Sequence, residues 1–318
     1  MNRNALSIII PTYNRENQLT TQLDLIFSSR IDLVSEIVVL DNNSSYEIEE
    51  LINSYNSSKL RLIRQPFNIK VHNNLASVFT VVDTEWFWLL SDDDEIEISA
   101  IENIWNEIHL APKNTALIKF SRSNFSQEEY IAKSLTTFID YYYEERLVRR
   151  GDLVFISTNV YNAVNLEKYL PYAFEYAYTY IPHLIPVFKG LESGNLAVKF
   201  SSKEIVRFIP PREGWYSFGT VGKGLSTLSH IPLSISENYR KKFLDITMSI
   251  TYKSLIIGFL KNEKIDNLND FKIIYNNIYR YYIPFKSKVI VKMFFFIMSV
   301  KPLKIMFIRF LQLIKKIK

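Results

Sequence analysis

Apolar runs closed by turn-forming residues alternate with helix-spaced segments over the first third of the chain. The run LSIII at residues 6–10, stopped by Pro11, predicts a strand buried on both faces. Leu19, Leu23, Ile26 and Phe27 then repeat at helical spacing and predict a helix over 16–29. EIVVLDNNS predicts a second strand ending at Asp41, residues 46–55 a helix, and LRLIRQ a third strand. A helix over 70–83, the strand EWFWLL, a helix over 98–109 and the strand ALIKF continue the series.

Strands alternating with helices need crossover connections, so the pattern predicts an α/β fold with a mostly parallel sheet flanked by helices. Such sheets bind ligands beyond the carboxyl ends of their strands. Thr12 to Arg15 follow the first strand, Asp41 to Ser44 the second and Asp92 to Asp94 the fourth, which gathers polar side chains on one rim. Residues 121–235 are less regular. RGDLVFISTNVYN predicts a strand with a polar end, and RFIPPREGWYSFGTVGKG, with two prolines and four of the eight glycines, predicts a long loop of the kind that covers a site. Residues 237–262 predict helix, 263–270 a polar linker and 271–318 a basic, apolar tail.

With 318 residues and 47% hydrophobic content, the chain supports one large domain or a domain with an appendage. It has no cysteine, which excludes a disulfide framework, a thiolate metal site and a cysteine nucleophile, and fits a reducing compartment. The apolar run before Pro11 is too short for the core of a secretory signal. No apolar stretch reaches the roughly 18 residues of a spanning helix. The net charge of +5 is uneven: eleven lysines and arginines follow Asp270, the last acid, so everything before residue 271 sums to −6.

The stretch LLSDDDE, directly after EWFWLL, is the strongest chemical signal. Two carboxylates about 4 Å apart repel by roughly 1 kcal/mol even at the dielectric of water, so something must offset the run. Two readings follow. One is a solvated loop. The other is a divalent cation, since Mg²⁺ and Mn²⁺ take oxygen ligands and are held by one or two carboxylates plus substrate phosphates.

Four segments in this order and spacing, SIIIPTYNR, EIVVLDNNSSY, RLIRQPFNIKVHNNLASVF and WFWLLSDDDEI, resemble the inverting glycosyltransferases of family 2, within them the abequosyltransferase-like enzymes of bacterial O-antigen and capsule assembly. The resemblance covers about residues 5–120 and implies a GT-A (Rossmann-like) fold. It divides the chain into a glycosyltransferase domain over 1–235, with a nucleotide-binding half (1–120) and an acceptor half (121–235), and a helical region over 236–318. It implies inverting transfer of a hexosyl or deoxyhexosyl group from a nucleotide-diphosphate sugar to a lipid-linked glycan acceptor, with Mn²⁺ or Mg²⁺ as cofactor. By register Asp93 would be a metal ligand, with Asp92 and Asp94 beside it. Pro11, Thr12, Tyr13, Arg15, Asp41, Asn68, Asn74 and Asp92 would meet the nucleotide, although Asp41 equally suits a turn or cap. Two positions depart from the family: Ser91 where an aspartate is common, and Lys70 where glycine is common.

The family's acidic pair, which supplies the general base, is missing from the comparable segment PYAFEYAYTYIPHL. Glu175 and His183 are its candidates, with Asp94 a third and Asp152 outside the segment. Thr158 and Asn159 suit either a sugar contact or a structural role, and His230 is a further possible ligand. No Walker loop and no Gly-x-Ser-x-Gly elbow competes. Sugar nucleotidyltransferases open on a Gly-rich loop after the first strand, and PTYNR has no glycine.

Residues 286–318 carry nine positive charges and no acids, with Phe, Ile and Leu filling the gaps and Pro302 interrupting the middle. This predicts two amphipathic helices lying in a membrane interface; a pair of core helices with snorkelling lysines is the alternative. The apolar runs favour lipid over nucleic acid. A peripheral position on the cytoplasmic face of a bacterial inner membrane follows if the acceptor is lipid-linked. A non-catalytic membrane-associated binding or scaffold protein that kept the fold is the rival reading.

Overall fold

Alternate residues of each central strand enter opposite cores, as the two-residue period of a strand requires. Leu6, Ile8 and Ile10 face one side with Ile37, Val39, Trp86, Trp88 and Ile118, while Ile9, Val38, Leu40, Phe87, Leu89 and Leu117 face the other. Both faces are covered, which is why these strands read as unbroken apolar runs rather than as alternation. The computed structural model describes residues 5–123, 127–144, 152–207, 218–248, 268–279 and 285–317.

The strands β1 (Leu6–Thr12), β2 (Glu36–Asp41), β3 (Leu60–Arg64), β4 (Trp86–Leu89), β5 (Thr115–Arg122), β6 (Tyr130–Ala132), β7 (Asn159–Asn162) and β8 (Ala197–Val206) form one sheet in the order β3-β2-β1-β4-β7-β5-β8-β6. Helices α1 (Glu16–Phe27), α2 (Ile48–Ser54), α3 (Val71–Ser77) and α4 (Ala100–His109) connect the first five strands. β1 pairs in parallel with β2 and β4, and β2 with β3. β7 runs antiparallel to both β4 and β5, so β5 and its parallel partner β8 point the same way as β1. The carboxyl ends of six strands therefore share one rim, and β7 begins there.

Some elements differ from the sequence expectation. The helix expected over 70–83 stops at Ser77 and continues only as a 3₁₀ turn over Val78–Thr80, where Val78, Thr80, Val81 and Val82 crowd a helical turn with β-branched side chains. The strand expected over 150–162 is only β7; Ile156–Thr158 before it is a 3₁₀ turn. β8, in the region read as irregular, is the longest strand among the described residues. Of the loop expected over 207–224, residues 208–217 lie outside the described residues, and Phe218–Ser226 is a helix.

The helix Glu237–Met248 packs on α5 (Leu135–Glu144), with Tyr239 and Lys242 each donating to Asp140 at 2.7 Å. Helix Leu268–Ile274 meets Phe218–Ser226 through a Lys223–Asp270 pair at 3.0 Å. Two helices then follow, Phe285–Ser299 and Lys301–Ile317. The break falls at Val300, and Pro302 lies in the first turn of the second helix, where its missing N–H has no consequence. No helix among the described residues is long and apolar enough to cross a membrane.

Candidate active site

The first strand end sets the rim. After Thr12 the chain turns at Asn14, whose φ of 53° is left-handed, a region asparagine tolerates better than most residues. The Asn14 amide donates to Ser44 Oγ at 2.8 Å, and its Oδ1 accepts from the Ser45 amide at 2.7 Å, which fastens the turn after β1 to the turn after β2. Thr12 and Arg15 project from this turn toward the acid loop. Pro11 is half-buried and Tyr13 exposed at its edge.

Each acid of the loop meets a partner from another segment. Thr12 Oγ1 donates to Asp92 Oδ2 at 2.8 Å, and Arg15 Nη1 donates to Asp92 Oδ1 at 2.9 Å. The same Nη1 donates to Asp93 Oδ2, whose other oxygen accepts from Ser91 Oγ at 2.6 Å. Asp94 Oδ2 accepts from Ser157 Oγ at 2.5 Å, and the Arg122 guanidinium acts on Asp94 from the end of β5. Glu95 pairs with Arg207 at 2.7 Å. The sequence argument required something to offset four acids; the fold supplies three guanidiniums of its own.

That supply is incomplete. Burial pushes the Asp92 carboxyl up to about 6 against the opposing charge of Arg15. Burial likewise raises Asp94 to about 6, opposed by the Ser157 hydrogen bond and reinforced by Asp93 and Asp92. Burial works against the Arg15 charge, but Asp92 and Asp93 outweigh it and hold its pKa above the ordinary value. Among the described residues no three Asp, Glu or His side chains converge to hold a metal by themselves. Mn²⁺ and Mg²⁺ do not need three, since one or two carboxylates serve when phosphates complete the shell. The hard oxygen donors and the uncompensated charge of the loop fit such an ion.

The other residues expected to meet the nucleotide are held by bonds within the rim's turns. Asp41 is fully buried; it accepts from the Ser44 amide at 3.0 Å and from Ser44 Oγ at 2.5 Å, and pairs with Arg64 at 3.3 Å. It holds the turn after β2. Asn68 Oδ1 accepts from Asn42 at 3.0 Å and from the Lys70 amide at 2.8 Å. Buried Asn74 staples α3 to β2 through Leu40 O at 3.2 Å. Lys70 has a φ of 72°, a left-handed conformation that favours glycine.

The base candidates differ in their surroundings. Asp94 is buried and tied to Ser157. Glu175 ends the helix Pro171–Glu175 with an exposed side chain, and its charge acts on two neighbouring phenols; burial first, then Glu175, raises Tyr176 to about 12. His183 is 1% exposed, neither ring nitrogen has a partner, and burial, then the Lys119 charge, lowers it to about 3. A base must reach substrate, and this histidine is enclosed in the core. Asp152 opens a 3₁₀ turn over Asp152–Val154, and exposed His230 ends another over Thr227–His230. Thr158 and Asn159 are fully buried, Thr158 bonded to Lys119 and Asn159 to Phe155 O.

Sequence reading missed Ser157, Arg122 and Arg207. Ser157 accepts from the Ser91 amide at 2.9 Å and, through its carbonyl, from Trp88 Nε1 at 2.7 Å, so it clamps the acid loop to the start of β7. The available signal for Arg122 was its place just after ALIKF, at a strand end on the same rim.

No curated protein sequence matches the chain. Among solved structures it is similar to TarS 1–349 of S. aureus (16% identity, 86% of this chain and 83% of that one, TM-score 0.56). It is also similar to the same protein in complex with UDP-GlcNAc (15% identity, 86% and 84% covered, TM-score 0.57). A third is mannosyltransferase PcManGT from Pyrobaculum calidifontis in complex with GDP-Man and Mn²⁺ (12% identity, 94% and 81% covered, TM-score 0.51). At these identities the likeness speaks for the fold, a GT-A arrangement of mostly parallel sheet and flanking helices. The family model "Glycosyl transferase family 2" matches residues 7–169, just over half of the chain, and the chain therefore belongs to that family and is a glycosyltransferase.

Proposed function

We propose that this glycosyltransferase moves a hexosyl or deoxyhexosyl group, with inversion, from a nucleotide-diphosphate sugar to a lipid-linked glycan acceptor in bacterial surface-polysaccharide assembly, as abequosyltransferase-like enzymes do. The observation that carries the reading is the rim on which Thr12, Arg15, Asp92 and Asp93 interlock at the ends of β1 and β4. Structural relatives solved with UDP-GlcNAc and with GDP-Man and Mn²⁺ support the donor class.

Each rim residue then has a task. Tyr13, exposed beside Pro11 and Thr12, stacks on the base, while Arg15 and Asp92 orient the diphosphate end and the turn held by Asp41, Asn68 and Asn74 shapes the pocket floor. A divalent cation, Mn²⁺ or Mg²⁺, would be held by Asp93 with its neighbours Asp92 and Asp94 and would neutralise the leaving diphosphate. Glu175, the base candidate with an exposed carboxylate, takes the proton of the acceptor hydroxyl as that oxygen attacks the anomeric carbon. The C-terminal helices rest on the cytoplasmic face of the inner membrane, as a peripheral contact, where the acceptor is presented.

Calorimetric titration of UDP, GDP, dTDP and CDP, with and without Mn²⁺, on wild type and Asp93→Ala tests this. Binding of one nucleotide that requires both Mn²⁺ and Asp93 is the expected result. Folded protein that binds none of the four would favour the non-catalytic scaffold.

A further inference from the structure

Arg15 covers the two carboxylates that a metal would approach. The side chains of Asp92 and Asp93 are 4% and 6% exposed, whereas that of Arg15 is 34% exposed. One guanidinium nitrogen, Nη1, is shared between both acids. It therefore stands between solvent and the carboxylate pair, at the point where a second cation would have to sit.

We propose that Arg15 is a resident counter-ion and lid for Asp92 and Asp93, and that it gives up the pair when a divalent cation binds, its guanidinium passing to the donor diphosphate. The inference rests on the reading of this loop as the metal segment and adds a competition that the reading does not contain. Two observations and one electrostatic argument support an exchange rather than a fixed ion pair. First, the carboxylates have independent holds: Thr12 Oγ1 keeps Asp92 at 2.8 Å and Ser91 Oγ keeps Asp93 at 2.6 Å, so neither depends on Arg15 for its position. Second, Arg15 caps α1 with a φ of −135° and ψ of 53°, just outside the helix, so its side chain swings without disturbing a helical turn. Third, two positive groups on one pair of carboxylates repel strongly at a half-buried site, so guanidinium and metal exclude each other. A guanidinium with five fixed donors is also well suited to the phosphates that arrive with the metal.

The exchange makes predictions of opposite sign for the two ligands. Mn²⁺ alone, titrated against full-length protein and followed by the electron paramagnetic resonance signal of the free ion, should bind Arg15→Gln about tenfold more tightly than wild type. Arg15→Lys, which keeps a cation in place, should stay near wild type. Adding UDP or GDP, whichever the protein binds, should tighten Mn²⁺ in wild type and much less in Arg15→Gln, because the released guanidinium is missing. Asp93→Asn in the Arg15→Gln background should abolish the gain, and circular dichroism checks that each variant is folded. Equal Mn²⁺ affinity in wild type and Arg15→Gln would overturn the exchange while leaving the metal reading intact. Absence of Mn²⁺ binding in every folded variant, with and without nucleotide, would overturn both.

Discussion

Asp92 and His183 are both buried titratable groups, one at the strand-end rim and one in the core, and their surroundings differ in kind. Asp92 lies among Thr12, Arg15 and Asp93, delivered by two separate strand ends. His183 has no hydrogen-bond partner for either nitrogen, and the ring of Tyr161 stands edge-on to it at 6.4 Å. Burial disfavours the charged form of each. At the rim the neighbours keep the acid within reach of neutral pH, at about 6; in the core they leave the histidine at about 3. A polar group held by several segments at a strand end is built for charge chemistry. One enclosed in the core without a hydrogen-bond partner stays neutral.

The sharpest break of that comparison is kinetic. Glu175→Gln should lower sugar transfer by about 10²–10⁴-fold with nucleotide affinity unchanged, the range for loss of a general base. His183→Gln should leave transfer within a few-fold once stability is matched. Steady-state rates on a donor identified by the nucleotide titration decide it. The reverse pattern, transfer lost with His183→Gln and kept with Glu175→Gln, would bring His183 back as the base.

A smaller effect concerns stability. The His183 pKa falls from its ordinary 6.5 to about 3 on folding, so the unfolded chain binds the extra proton between those values. Its contribution is fully present above pH 6.5 and is lost as pH falls toward 3, since the folded state cannot take up the proton in that window. At about 1.4 kcal/mol per pH unit, acidification from 6.5 to 5 should cost about 2 kcal/mol. Denaturant unfolding at several pH values should show that slope in wild type and a flatter one in His183→Gln. Parallel slopes would mean that His183 is protonated in the folded protein.

The same contrast explains what was legible in the sequence. β1 to β4 and the acid loop were readable because apolar run, turn and acid lie next to one another in the chain. The partners of the acids were not, because Arg122, Ser157 and Arg207 arrive from three distant segments, brought to the rim by β5, β7 and β8. The strand expected over 150–162 came out too long because β7 is only four residues and is preceded by 3₁₀ turns instead of more strand. β8 escaped because its middle, Ser202 to Glu204, turns polar and exposed and breaks the apolar run. Lys70 shows the limit differently: its identity reads as a surface charge, while its backbone angle shows the need for a left-handed residue.

The smallest effect belongs to the C-terminal helices, where the comparison is between two faces of one element. Val291, Phe294 and Met298 are buried, with Phe294 and Phe295 packed on Phe271 at 5.6 and 5.0 Å, so this face of Phe285–Ser299 is already used. Ile290, Met293 and Phe296 are exposed on the same helix, as are Ile305, Met306 and Phe310 on the next. Lys292, Lys301 and Arg309 are exposed among them. A pair of core helices with snorkelling lysines accounts for the first face but not for the second. If the second face rests on anionic headgroups, each of Lys292→Gln, Lys301→Gln and Arg309→Gln should weaken cosedimentation with phosphatidylserine-containing vesicles by about 1 kcal/mol, or roughly fivefold. The loss should fade at high salt and be absent on pure phosphatidylcholine, because it is an electrostatic term. Phe296→Ser should weaken binding to both vesicle types, since it removes apolar contact rather than charge. Binding that ignores all four substitutions would detach the membrane from the proposal and leave these faces to another part of the protein's surroundings.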